Sequence, residues 1–189
     1  MTDEPLALPT TVDAWPEFIR EWSSSNLRRS ELAIAALTDG SHRTADAVLE
    51  LWDESELGLR NASGFVGLLA EVHPDEGARE IAEKCGRLAT RAYTERGLNE
   101  ELYAVLRAVD GSRLDAGGAR LLARVLRDFR RSGSGLDAEA RDRIRAISER
   151  TNSGVTNSCS SAPKLSPSAM RSPANAWAAA RPRFSRWAT

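Results

Sequence analysis

The sequence predicts an all-α fold: an irregular multi-helix domain of about seven helices, followed by a disordered C-terminal tail. Three observations carry this. Apolar residues recur at helical spacing from about residue 12 to residue 147. No segment alternates apolar and polar residues as a half-buried strand would, and there is no Asn-Gly or Asp-Gly hairpin: Asp110-Gly111 stands at a helix end. All 27 acidic residues lie in the first 150 positions, so the chain changes composition there.

The elements follow in order. Residues 1–11, with Pro5 and Pro9, read as an extended lead-in. A helical domain is expected over 12–151. Ala45, Val48, Leu49 and Trp52 stand at i, i+3, i+4, i+7, and Phe65, Leu68, Leu69 and Val72 repeat that spacing. Ala78, Ile81, Ala82, Cys85, Leu88, Ala89, Ala92 and Tyr93 mark about four turns of one face. Leu102, Tyr103, Leu106 and Val109 follow, then Leu122, Val125, Leu126 and Phe129. Ala140, Ile144 and Ile147 begin a last helix whose next apolar positions, near 151 and 154, are not filled.

Helix ends have their own residues. Pro74 suits a first helical turn, with Asp75 and Glu76 at the positive end of the dipole. Gly97 and Gly111 are expected as left-handed helix terminators. Asn99, Asp115 and Asp137 each precede a helical run and are expected as N-caps.

Residues 152–189 are low in complexity and basic: eight Ser, eight Ala, four Pro, and Lys164, Arg171, Arg181, Arg183 and Arg186 with no acid. The first 150 residues hold the other 21 Lys and Arg against 27 Asp and Glu, a formal charge of −6. No segment approaches the ~18 apolar residues of a membrane span. The acidic N-terminus lacks the basic and apolar regions of a signal peptide, so a cytoplasmic protein is expected. Cys85, on an apolar face, reads as a small core residue, and with Cys159 as its only fellow no disulfide framework is expected.

No catalytic, cofactor-binding or metal-ligating residue can be assigned. The two histidines, His42 and His73, have no second His or Cys at ligand spacing, and no His-Glu-x-x-His pair exists. His73 reads as a helix C-terminal residue serving free carbonyls, and His42 as solvated in a polar turn. Gly117-Gly118 and Gly133-Ser134-Gly135 lack the Lys-Ser/Thr of a phosphate loop. One feature stands out from the solvated charges. Arg120, Arg124, Arg127 and Arg131 form a row at i, i+4, i+7, i+11, opposite Leu122, Val125, Leu126 and Phe129. Such a row could meet phosphates or pair with carboxylates of neighbouring helices in a larger protein. Trp177, Arg181, Arg183, Phe184, Arg186 and Trp187 form a second basic cluster, with aromatics.

The segment Leu126-Arg127-Asp128-Phe129-Arg130-Arg131-Ser132-Gly133-Ser134-Gly135-Leu136, with Glu139, Arg143, Ile147 and Arg150, resembles the N-terminal region of the thimet oligopeptidase / oligopeptidase A family of zinc metallopeptidases. Leu69-Ala70-Glu71-Val72-His73-Pro74-Asp75, Ala82-Glu83-Lys84-Cys85 and Leu102-Tyr103 agree, so the resemblance spans roughly residues 13–151. It implies an all-α domain forming one wall of a channel for short peptides. It also implies a helix ending in a Leu-Arg-Asp-Phe-like run, a Gly-containing turn, a Leu and a long amphipathic helix. The family's zinc site lies far downstream of this region, so the resemblance places no zinc ligand on this chain. Its natural packing partner would be the missing catalytic domain, and nucleic acid would not be a partner. The family's last helix continues with a Glu-Leu-Gly-like step where this chain has Asn152-Ser153-Gly154. A frame lost near residue 151, with out-of-frame translation to Thr189, accounts for the cut stripe and the absent acids together. The expectation is thus an inactive N-terminal piece of a zinc oligopeptidase. The alternative is a self-standing helical module that binds nucleic acid or an acidic partner through the Arg row and the basic tail.

Overall fold

The computed structural model describes residues 7–40 and 44–159, with the backbone alone over 153–159. His42 and the basic aromatic cluster of the tail lie outside the described residues. Six α-helices follow a 3-10 turn at Val12–Ala14: α1 Trp15–Thr38, α2 Ala45–Val72, α3 Glu76–Gly97, α4 Glu100–Arg107, α5 Ala116–Ser132 and α6 Ala138–Cys159. A second 3-10 turn, Gly111–Arg113, links α4 to α5, and the described residues contain no strand. The all-α expectation holds. The chain divides into two compact units, Met1–Thr156 and Asn157–Thr189, and of the second only the end of α6 is described.

Helices α1, α2 and α3 form the body, with the largest interface between α1 and α2. That seam is made of small and polar residues. Ser23, Asn26, Ser30 and Ala33 of α1 are buried, as are Ser55, Gly58 and Ala62 of α2. A Cβ on Gly58 would lie 2.7 Å from the Asn26 carbonyl and 2.9 Å from the Ser30 nitrogen, so only glycine allows this approach. The Ser30 and Ser55 hydroxyls bond across the seam at 3.1 Å, and the Trp22 indole N–H donates to the Asn61 carbonyl at 3.0 Å.

Two apolar clusters sit at the two ends of α2. One joins Ile19, Val66, Leu69, Ala78, Ala82 and Cys85. The other joins Leu37, Val48 and Trp52 to Leu102 and Leu106 of α4 and Val125 and Phe129 of α5. Cys85 is buried and unbridged. Parts of the expected faces are left outside: Leu68, Val72 and Leu88 are each more than half exposed.

The expected caps form. Asn99 Oδ1 accepts from the Leu102 N–H at 2.9 Å, Asp115 Oδ1 from Gly118 at 2.6 Å, and Asp137 Oδ1 from Ala140 at 2.8 Å. Three expectations need correction. Pro74 precedes α3 instead of entering it, because Asp75 takes the cap, accepting from the Ala78 N–H at 2.8 Å. Gly97 and Gly111 are not left-handed; the positive φ values belong to Gly40, Gly133 and Gly135. Gly97 answers a steric demand, since a Cβ there would meet the Ser132 side chain at 3.1 Å. The last helix does not stop at residue 151 but runs on to Cys159.

Candidate functional site

The row of arginines and the end of α3 meet at a groove between α2 and α5. It holds about 370 Å³ and is lined by Trp52, Asp53, Glu56 and Arg60 of α2, Tyr93 and Arg96 of α3, and Leu121, Arg124 and Asp128 of α5. The two flanking helices run the same way. Leu49 faces the position of Gly118 near the start of α5, and Trp52, one turn further along α2, meets Phe129, three turns further along α5, with ring centroids 5.6 Å apart, so the two helices ascend in the same sense but at an angle to each other.

Arg96 forms the floor. It is 8% exposed and sits in the last turn of α3, where a cation favours the negative end of the dipole. Its guanidinium donates to Glu56 Oε2 at 2.6 Å and to Ser55 Oγ at 3.4 Å. It also lies 4.5 Å from the Trp52 ring centroid and 5.1 Å from that of Tyr93. A planar, weakly hydrated cation between a carboxylate and two aromatic faces is the arrangement in which burial of arginine is least costly. Burial, and after it the Glu56 carboxylate, push the Tyr93 hydroxyl above its ordinary range. Three carboxylates, Asp53, Glu56 and Asp128, thus line one groove with three guanidiniums, Arg60, Arg96 and Arg124. The lining holds no thiol and no imidazole.

Of the expected Arg row Arg124 lines the groove, and Arg120, Arg127 and Arg131 are exposed beside it on α5 as its outer lip. Among the described residues no ion pair joins it to a carboxylate of another helix. Arg124 and Arg127 approach only Asp128 of their own helix, at 3.8 and 3.9 Å, and Arg120 and Arg131 make no ion pair among the described residues. Four arginines elsewhere do pair between helices. Arg29 pairs with Glu54, Arg96 with Glu56, Arg141 with Glu100 and Arg145 with Glu95, each across two helices.

His73 departs from expectation. It is buried at the end of α2 with its ring 4.8 Å from that of Trp15. Its Nδ1 accepts the Asp75 N–H at 3.2 Å. Its ring therefore serves the approach to α3 as an acceptor, and its own carbonyl accepts from Arg79 at 2.6 Å. The Gly117-Gly118 pair lies in the first turn of α5 under Asp115, and Gly133-Ser134 closes the other end of that helix. Among the described residues no three His, Cys, Asp or Glu side chains gather as a metal site. No helix among them is long and apolar enough to cross a membrane. The floor Arg96 was not singled out by sequence, and its signal was weak: Tyr93 three residues before it on one helix face.

Comparison of the chain with protein-family models and with curated proteins gave no match.

Proposed function

We propose that residues 12–151 are the channel-wall part of a cytoplasmic zinc oligopeptidase of the thimet oligopeptidase class, inactive without the catalytic domain of such an enzyme. The α5–turn–α6 unit carries this reading. Helix α5 ends in Leu126–Ser132, and Gly133 turns the chain at φ +102. The Ser134 N–H closes back on the Phe129 carbonyl at 3.1 Å, and the Ser134 hydroxyl donates to the Gly97 carbonyl at 2.7 Å. Leu136 and the 22-residue α6 follow. This is the order of parts that the family resemblance implies.

Helix α6 then meets the body mainly through polar groups. Ser148 bonds Thr94 at 2.8 Å, Asn152 donates to the Arg87 carbonyl at 3.3 Å, and Arg145 holds Glu95 at 3.1 Å. Of its apolar stripe Ala140 and Ile144 are half-buried, and Ile147 is left 53% exposed. Such a stripe on a long helix belongs against another domain. In this reading the partners are the catalytic domain, on that stripe, and short peptides in the channel. The residues present do not fit the zinc ion, because no ligand set assembles among those described; the ion belongs to the catalytic domain.

The nucleotide sequence past codon 150, read in three frames, tests the proposal. A frame other than the translated one should extend α6 and later encode His-Glu-x-x-His. Absence of that motif in every frame overturns it. The frame-restored protein should cleave a quenched fluorescent peptide in a chelator-sensitive manner, and the present chain should not.

A further inference from the structure

The geometry points to a second copy of this chain as the occupant of the groove between α2 and α5, the acidic lip of each copy lying along the basic lip of the other. The basic lip is Arg120, Arg124, Arg127 and Arg131. The acidic lip is Asp46, Glu50 and Asp53 on α2, at i, i+4, i+7, with the exposed Leu57 at i+11. The three carboxylates are exposed and make no ion pair among the described residues. Both lips thus have the same helical spacing, about 6 Å between members four residues apart. They also ascend in the same direction, with Asp53 and Arg124 facing across one groove.

That arrangement selects one symmetry. A two-fold axis that runs along the groove and bisects the angle between the two lips lays the acidic lip of one copy on the basic lip of its partner, and the reciprocal contact forms at the same time. An axis across the helices would set acid on acid. The Arg fork suits carboxylates in pairs. The surroundings disfavour a phosphate chain: the first 150 residues carry −6, and Asp53, Glu56 and Asp128 line the groove itself. A polyanion laid there would also lie against those carboxylates. The interface does not depend on the peptidase reading, since both lips lie on α2 and α5, away from the stripe of α6.

The test is the mass of the full chain in solution by light scattering and sedimentation. A dimer is expected at about 0.05 M salt, with its dissociation constant rising at least tenfold by about 0.5 M, where screening shortens the reach of charges to a few ångströms. Two charge-reversed variants sharpen it: Arg120→Glu with Arg124→Glu, and Glu50→Arg with Asp53→Arg. Each alone should be monomeric at low salt, with an unchanged helical circular dichroism spectrum. Mixed in equal amounts they should form a heterodimer, because both lip contacts are then complementary again. A wild-type chain that is monomeric at low salt overturns the inference. So does a dimer that either variant leaves intact, or a mixture that fails to associate. A monomer that binds a single-stranded oligonucleotide through the same arginines would assign the row to nucleic acid and overturn it too.

Discussion

Ser23 is buried in the α1–α2 seam, and its hydroxyl is the only buried side-chain polar atom without a partner among the described residues. An unmet hydroxyl costs its desolvation and returns nothing. Ser23→Ala should therefore stabilise the protein by about 1 kcal/mol, read as a higher urea midpoint at unchanged slope. Arg96 is the opposite case. Glu56→Gln keeps the shape of the floor but leaves a buried guanidinium facing a neutral amide. Glu56 is one third exposed, which tempers the loss to about 1–3 kcal/mol in the same measurement. Acid sensitivity comes from another pair. The hydrogen bond from Arg29 holds the Glu54 carboxyl below its ordinary value of 4.5. A lowered folded value means that the pair stabilises fully above the unfolded value and loses that contribution as pH falls through the folded one. The stability gap between wild type and Glu54→Gln should be constant above about pH 5.5 and close towards about pH 3. It should be small, because Glu54 is 43% exposed and screened by solvent. A gap that widens on acidification would refute the assignment.

At the scale of elements, α2 holds a paired comparison. Gly58→Ala pushes a methyl into the backbone of α1 and should cost about 1–3 kcal/mol despite its better helix propensity. Gly64→Ala on the same helix meets nothing within 4 Å and should gain up to about 1 kcal/mol. Equal effects at the two sites would mean that the seam is looser than its geometry. The same seam decided what could be read in the sequence. Helices α3 to α5 were legible because their apolar stripes are continuous, and Asn99, Asp115 and Asp137 mark the starts of α4, α5 and α6. The buried face of α1 is Ile19, Ser23, Asn26, Ser30, Ala33 and Leu37, half of it polar, so it shows no clear hydropathic stripe. Helix α2 reads as two patterns because its middle third, Ser55, Gly58 and Ala62, packs by closeness and not by bulk. The groove was legible only as its basic half. Joining Asp53 to Arg124 requires contacts more than 70 positions apart, which no periodicity encodes.

For the whole molecule, the decisive contrast is between the α1–α2–α3 body and α6. The body has two apolar clusters and a close seam. Helix α6 has Ile144 packed at Gly133, where a Cβ would lie only 2.5 Å from Ile144 Cδ1, and beyond that point it relies on hydroxyl, amide and charged contacts. Polar surface contacts of this kind hold a helix weakly, at about 0–1 kcal/mol per ion pair. Regions with few apolar contacts open without global unfolding. Amides over residues 145–152 should therefore exchange with solvent orders of magnitude faster than those of 59–69 in α2, and about 0.5 M salt should speed them further. Ile147→Ser should leave the global unfolding midpoint within about 0.5 kcal/mol, because its side chain has little to lose. If residues 145–152 exchange as slowly as α2, the helix is docked as firmly as the core. An apolar stripe left exposed at Ile147 for another domain would then be the wrong description of α6, and the peptidase reading would lose one of its supports.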